Sequence, residues 1–138
     1  TIEHNYNARI LVAEDNPINK KVISSMLSKM GYKRVDIVSD GQMAVDAIDR
    51  ENRVKFGASG YEPYSCILMD LMMPQLDGIE ATKIIRTMHL PNQVNIIAVT
   101  ANIQSDIQLR CREVGFNDFL AKPFKMQQLE NIMKVYSS

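Results

Sequence analysis

The stretch ILMD at residues 67–70 decides the fold, together with the turn pairs MP at residues 73–74 and DG at residues 77–78. A short apolar run without alternation is typical of a strand that is buried on both faces of a sheet. The run ends in Asp70, and open parallel sheets bind their ligands outside the carboxyl ends of the strands. The sequence therefore predicts a buried strand that delivers Asp70 to a functional edge.

A second apolar run, near the N-terminus, also ends in carboxylates. Residues 10–13 (ILVA) are followed directly by Glu14 and Asp15. If the two strands are neighbours, these side chains share one crevice with Asp70. Because so many like charges repel one another, they need a cation. The two runs together predict a cation site.

Length and composition are those of an ordinary globular domain. We expect residues 1–138 to form one domain with a core at about residues 8–136. The formal net charge is zero, so we expect no electrostatic attraction to nucleic acid and no direct membrane contact. The sequence has no apolar run of about 18 residues and no signal peptide. We therefore expect a cytoplasmic location, either alone or as the cytosolic part of a larger membrane-anchored chain.

Strand and helix patterns alternate along the chain. Apolar runs and turn residues predict strands at residues 8–13, 35–38, 66–70, 96–100 and 118–121. Apolar periodicity and capping residues predict helices at residues 17–30, 41–50, 78–88, 105–114 and 125–136. In the third helix we expect Ile84, Ile85 and Met88 to face the core. The remaining segment 51–64 is predicted to be one long loop, either mobile or a contact surface.

Five successive strand–helix units predict an α/β fold with a doubly wound parallel sheet and helices on both faces. The natural candidate is the flavodoxin-like strand order 2-1-3-4-5. In that order the first and third strands are neighbours, which brings Glu14, Asp15 and Asp70 together.

The chain resembles the receiver (response-regulator) domains of two-component phosphorelays from about Arg9 to the C-terminus. The resemblance rests on residues at the ends of the predicted strands, namely Glu14-Asp15, Asp70, Met73-Pro74, Asp77-Gly78, Thr100-Ala101 and Lys122-Pro123. The stretch AEDNPIN at residues 13–19 is most similar to receivers of hybrid histidine kinases. The resemblance implies a phosphoacceptor that receives a phosphoryl group from a phosphohistidine. It then passes this group to a histidine phosphotransfer protein or uses it as a conformational switch.

The resemblance also implies roles for single residues. Asp70 matches the phosphoacceptor and a metal ligand, and Asp15 matches a direct ligand of Mg²⁺ (or Mn²⁺). Glu14 matches a ligand that acts through water, and the backbone carbonyl of Met72 matches a further ligand. Lys122 matches the lysine that pairs with the acceptor carboxylate and then with the phosphoryl oxygens.

Other matched residues concern switching and partner binding. Thr100 matches the switch hydroxyl, and the bond before Pro123 matches a cis peptide. Phe119 stands where many receivers carry a switch tyrosine, so it is either a mobile switch residue or a static core residue. We expect a histidine kinase or a phosphotransfer protein as partner, with contacts at Asn16, Pro17, Ile18 and Met72.

Three other classes of protein would need different residues at these positions. An aspartyl phosphatase usually has a second acid two positions after its nucleophile, where this chain has Met72. A flavodoxin needs a phosphate-binding loop after the first strand, where this chain has Glu14 and Asp15. A nucleotide-hydrolysing domain needs GxxxxGK, which is absent. The open alternative is a pseudo-receiver that binds proteins without being phosphorylated. A true receiver would assist its own Mg²⁺-dependent phosphotransfer and dephosphorylation.

Overall fold

Five strands alternate with five helices in residues 6–54, 63–90 and 93–137, the part of the chain that the computed structural model describes. The strands are β1 (Arg9–Ala13), β2 (Arg34–Val38), β3 (Tyr64–Asp70), β4 (Asn95–Thr100) and β5 (Asp118–Ala121). The helices are α1 (Pro17–Met30), α2 (Gly41–Val54), α3 (Gly78–Thr87), α4 (Ser105–Val114) and α5 (Met126–Tyr136). No helix among these residues is both long enough and apolar enough to span a bilayer.

The strands form one parallel sheet in the order β2-β1-β3-β4-β5. The flavodoxin-like order predicted from the sequence is therefore confirmed. Strands β1 and β3 are neighbours, and Ala13 lies opposite Met69 in their register. Because both strands end at the same edge, the residues that follow them meet at the switch point of the sheet.

Alternate side chains of the central strands enter two cores, one on each face of the sheet. One core contains Leu11, Ala13, Ile67 and Met69 with buried residues of α2, α3 and α4. The other contains Ile10, Val12, Cys66 and Leu68 with buried residues of α1 and α5. Helices therefore cover both faces, and the carboxyl ends of β1 and β3 are buried between them.

The sequence predicts both ends of α1 correctly. Asn16 is the N-cap, and its Oδ1 accepts hydrogen bonds from the amides of Ile18 at 2.9 Å and Asn19 at 3.1 Å. Pro17 occupies the first turn, where no amide donor is needed. Gly31 ends the helix with a φ of 109°, a left-handed conformation that favours glycine.

Two predicted ends are wrong by more than one residue. Helix α2 continues to Val54 instead of ending at Arg50, because no glycine or proline interrupts residues 51–54. Strand β3 begins at Tyr64 instead of residue 66, because the buried Tyr64 hydroxyl donates to Asp36 on β2 at 2.6 Å. The predicted loop 51–64 is therefore shorter, and its residues 55–62 lie outside the described part of the chain. The other bounds agree or differ by one residue.

The prediction that Ile84 faces the core is also wrong. Helix α3 buries Gly78, Ala81, Thr82 and Ile85, which follow one another at helical spacing. Ile84 lies outside this stripe and is 37% exposed. Ala81 and Ile85 enter the core that α3 shares with α2 and α4.

Candidate functional site

Asp70 ends the central strand β3 and is only 5% exposed. Its Oδ1 accepts a hydrogen bond from the amide of Met72 at 2.9 Å. Its Oδ2 accepts one from Nζ of Lys122 at 2.9 Å. Both carboxylate oxygens therefore accept hydrogen bonds from the protein, so the orientation of the side chain is defined before any ligand binds.

Glu14 and Asp15 follow β1 and differ sharply in burial. Glu14 is 1% exposed, and its amide donates to the carbonyl of Val38 on β2 at 3.0 Å. Its Oε2 accepts from the amide of Asn16 at 3.2 Å. Asp15 is exposed. Carboxylate oxygens of Glu14, Asp15 and Asp70 lie within 4.8 Å of one another, so the three groups do converge.

Lys122 lies between two of these carboxylates. Its Nζ donates to Oε1 of Glu14 at 2.7 Å and to Oδ2 of Asp70 at 2.9 Å. Burial lowers the pKa of Lys122, but the hydrogen bonds and charges of Glu14 and Asp70 outweigh this effect and raise the pKa above its usual value. The ammonium therefore stays charged at neutral pH. The Lys122 amide donates to the carbonyl of Thr100 at 2.9 Å, and the bond to Pro123 is cis.

The carboxylate cluster suits a small, hard cation. Carboxylate and carbonyl oxygens are the ligands that Mg²⁺ and Mn²⁺ prefer. Asp15 lies on the solvent side of the cluster, and Mg²⁺ usually keeps several of its waters. The donor set of Glu14, Asp15 and Asp70 therefore fits Mg²⁺. The side chain of Met72 is 78% exposed, while its amide is bound to Asp70 at the same edge.

Thr100 and Phe119 lie on the face of the sheet that α4 covers. Thr100 ends β4, is 4% exposed, and accepts a hydrogen bond at Oγ1 from the amide of Asn102 at 3.0 Å. Phe119 on β5 lies opposite Ala98, is partly buried, and packs against the core. The guanidinium carbon of Arg112 lies 5.7 Å from the centroid of its ring. The phenyl ring is thus held between the core and a surface cation.

The start of α1 carries the predicted partner contacts, and beside it lies a cavity whose lining the sequence analysis did not single out. Asn16, Pro17 and Ile18 are exposed, Ile18 by 72%. A cavity of about 390 Å³ lies beside Lys122 and is lined by Asn19, Val22, Ile23, Ala101, Lys122, Pro123 and Phe124. The spacing of four between Ile18 and Val22 places both on one side of α1 and was the available signal.

Gly41 is a second residue that the sequence analysis missed. Its amide donates to the carbonyl of Leu76, in the loop that follows Asp70, at 2.9 Å. The available signal was the Asp-Gly pair at residues 40–41 between a strand and a helix, which marks a turn.

Comparison with known proteins identifies the class to which this fold and site belong. Residues 10–134 match the family described as the response regulator receiver domain. The chain therefore belongs to the response regulator receiver family.

Curated relatives are large histidine kinases. The chain is 39% identical over 127 residues to the osmosensing histidine protein kinase SLN1 of Saccharomyces cerevisiae, covering 92% of this chain and 10% of that protein. It is 41% identical over 127 residues to the peroxide stress-activated histidine kinase mak1 of Schizosaccharomyces pombe, covering 90% of this chain and 7% of that protein. The chain thus spans a tenth or less of the length of these two relatives.

Solved structures of receiver domains are also similar. The receiver domain of the sensor histidine kinase PA1611 from Pseudomonas aeruginosa, with magnesium in its active site cleft, matches with a TM-score of 0.79 and 40% identity, covering 94% of this chain and 97% of that chain. The Saccharomyces cerevisiae Ssk1 receiver domain, solved with the histidine phosphotransfer protein Ypd1, matches with a TM-score of 0.78 and 28% identity, covering 95% of this chain and 89% of that chain.

Proposed function

We propose that the chain accepts a phosphoryl group on Asp70 from a phosphohistidine and works within a phosphorelay. The observation that carries the proposal is the convergence of Glu14, Asp15 and Asp70 within 4.8 Å, with Lys122 bound to two of them. Membership of the receiver family supports the same reading. A pseudo-receiver has no need for this complete set of groups.

The proposed reaction is a displacement at phosphorus. A carboxylate oxygen of Asp70 attacks, a phosphorus–oxygen bond forms, the phosphorus–nitrogen bond breaks, and the imidazole leaves with its electron pair. The amide of Met72 keeps the carboxylate oriented for this attack. The Lys122 ammonium already lies 2.9 Å from Oδ2, and its flexible stem lets it follow the charge onto the phosphoryl oxygens.

Asp15, Asp70 and the backbone carbonyl of Met72 would hold Mg²⁺ (or Mn²⁺), and Glu14 would act through water. When bound, the cation neutralises charge on the carboxylates and on the transferring phosphoryl oxygens. The receiver domain of PA1611, which contains magnesium in its cleft, supports this assignment. The chain itself supplies the positions: Glu14 and Asp70 are fixed by hydrogen bonds from backbone amides.

Thr100 is the proposed switch residue. In the described state its Oγ1 accepts a hydrogen bond from the amide of Asn102. A phosphoryl group on Asp70 offers acceptor oxygens toward which the hydroxyl turns, and the loop after β4 follows. Phe119 responds through packing alone, because it has no hydroxyl.

The proposed partner is a histidine phosphotransfer protein, and the proposed parent is a hybrid histidine kinase. The Ssk1 receiver domain was solved with such a partner, Ypd1. The docking rim consists of exposed residues that follow β1 or β3 at the carboxyl edge of the sheet, namely Asn16, Pro17, Ile18 and Met72. A partner must cover this rim to deliver its histidine to Asp70. A cytosolic location, without contacts to nucleic acid or membrane, stays a prediction from the sequence.

Transfer of a radioactive phosphoryl group from a phosphorylated histidine phosphotransfer protein tests the function. We expect the chain to take up label in Mg²⁺, the Asp70→Asn variant to take up none, and the Asp106→Asn variant to take up a normal amount. Asp106 is a suitable control because it is an exposed aspartate on α4. A wild-type chain that takes up no label from this donor or from acetyl phosphate would support the pseudo-receiver instead.

A further inference from the structure

We propose that Gly41, at the start of α2, is a positioning residue that sets the Mg²⁺ affinity of the site by holding the loop after Asp70. This loop consists of residues 71–77 and is called the acceptor loop below. The inference rests on the proposed function, since it concerns the same metal site. Gly41 itself touches neither Asp70 nor the other carboxylates in any hydrogen bond of the described residues.

The acceptor loop is closed at its base. The Gly78 amide donates to the carbonyl of Leu71 at 3.2 Å, and the Met72 amide donates to Oδ1 of Asp70 at 2.9 Å. Near the tip, Gln75 has a φ of 66°, and the Leu76 amide donates to the carbonyl of Pro74 at 2.7 Å. These bonds make the loop compact, so we expect a shift at Leu76 to reach Met72 along the backbone.

Gly41 ties this unit to the neighbouring helix. Its amide donates to the carbonyl of Leu76 at 2.9 Å, so the loop is fixed to the N-terminus of α2. A Cβ at position 41 would overlap the Leu76 carbonyl oxygen, and it would lie 2.8 Å from the carbonyl carbon and 3.0 Å from the oxygen of Asp77. Glycine is needed here for space, since the three atoms nearest to such a Cβ all belong to the backbone.

The start of α2 cannot easily retreat to make room for a larger residue. Oδ1 of Asp40 accepts from the Met43 amide at 2.8 Å, which fixes the first turn. Ala44 is fully buried in the core, and Nζ of Lys20 on α1 donates to Ser39, just before the turn. A side chain at position 41 must therefore displace the acceptor loop.

Displacement of the loop changes the metal site at two atoms. It moves the Met72 amide that orients Asp70, and it moves the Met72 carbonyl that we propose as a ligand. Groups that orient metal ligands without touching the metal typically change affinity by about 10–100-fold when they are altered. We expect Gly41→Ala to weaken Mg²⁺ binding by about tenfold.

The test is a Mg²⁺ titration of the Gly41→Ala variant. Binding is monitored by NMR amide shifts, because the chain has no tryptophan for a fluorescence readout. The matched control is Gly31→Ala, which strains a residue with a φ of 109° at the other end of α1. Gly31→Ala should lower the melting temperature and leave the Mg²⁺ affinity unchanged. An unchanged affinity in Gly41→Ala, or an equal loss in both variants, overturns the proposal.

Hydrogen exchange of the unaltered chain gives a second test that does not require the variant to fold. Coupling between two sites is reciprocal, so Mg²⁺ must slow exchange of the Gly41 amide if that bond favours Mg²⁺ binding. The amides of Gly31 and Gly115 should be unaffected, and equal protection of all three overturns the proposal. A chain that passes these tests but takes up no phosphoryl label contradicts the proposed function alone.

Discussion

Nζ of Lys122 lies 2.7 Å from Oε1 of Glu14, a shorter contact than the one that it makes with Oδ2 of Asp70 at 2.9 Å. The resemblance implied Glu14 only as a metal ligand through water, whereas the structure also makes it a partner of the lysine. One ammonium thus contacts two buried carboxylates and balances the charge of only one of them. We therefore expect Mg²⁺ and Lys122 to share these carboxylates, and each to compensate in part for loss of the other.

The first prediction follows from this sharing. Lys122→Met leaves Glu14 and Asp70 buried without their cation. We expect the free energy of unfolding in chelator to fall by about 2–3 kcal/mol, below the range for a fully buried pair because Lys122 is 20% exposed. Added Mg²⁺ should restore much of the loss. Urea unfolding with and without Mg²⁺ measures both effects.

Lys134→Met is the control for this measurement. Lys134 forms an exposed pair with Glu130 at 3.7 Å, which is worth about 0.5 kcal/mol or less. Because the folded-state pKa of Lys122 is raised, its stabilising effect is fully present below pH 10.5 and is lost only as the pH rises through the folded pKa. If Lys122→Met lowers the free energy of unfolding at pH 7 no more than Lys134→Met does, Lys122 does not stabilise the carboxylate cluster.

The second prediction concerns Asp15. Asp15→Asn removes an exposed, charged ligand without disturbing the contacts of Lys122 with Glu14 and Asp70, so the fold should be unchanged. We expect Mg²⁺ affinity to fall by at least about tenfold, and phosphorylation at limiting Mg²⁺ to slow in proportion. The control is Asp46→Asn, an exposed aspartate on α2. Labelling of the wild type that persists in excess chelator would contradict the metal assignment.

The sequence predicts those elements whose pattern is local. The apolar runs before Glu14 and Asp70 correctly identify two central strands, because a strand buried on both faces must be apolar throughout. Asn16 and Gly31 correctly mark the ends of α1, because their capping bonds involve only neighbouring residues. The alternation of strands and helices then predicts a parallel sheet, for which the flavodoxin-like order is the natural candidate.

Other features escape prediction from the sequence because they depend on contacts between residues far apart in the chain. The early start of β3 depends on the bond from Tyr64 to Asp36, 28 residues away in the chain. The contact between Lys122 and Glu14 joins residues 108 apart, and no local pattern indicates it. The role of Gly41 depends on the path of the acceptor loop, which is fixed only when α2 and α3 pack together.

The third prediction ranks the two switch residues. A beryllium fluoride complex on Asp70 mimics the phosphoryl group and should shift amide signals across residues 101–119. We expect Thr100→Ala to remove most of these shifts, because the hydroxyl makes the differential contact on which a population shift depends. Phe119→Leu should reduce these shifts by less than about half, because Phe119 contributes packing and no hydrogen bond to the phosphoryl group. The reverse ranking would contradict the proposed switch.

The fourth prediction concerns the docking rim. Ile18 is 72% exposed in the first turn of α1, shortly after Glu14 and Asp15, so it should serve as an apolar anchor for a phosphotransfer partner. We expect Ile18→Ala to weaken binding by about tenfold in calorimetry, which corresponds to about 1.4 kcal/mol. Leu109→Ala removes a 60% exposed residue on α4 and should have no effect. Weaker binding by Leu109→Ala alone would place the partner on another face.

The central claim is that Asp70 forms the acyl phosphate, and mapping the modified residue tests it most directly. Borohydride reduces an acyl phosphate to an alcohol, which marks the residue permanently for peptide sequencing by mass spectrometry. After incubation with acetyl phosphate and Mg²⁺, we expect the reduced residue at position 70 only, and none in chelator. Reduction at Asp15 or Glu14, or equal reduction with and without Mg²⁺, would contradict the account.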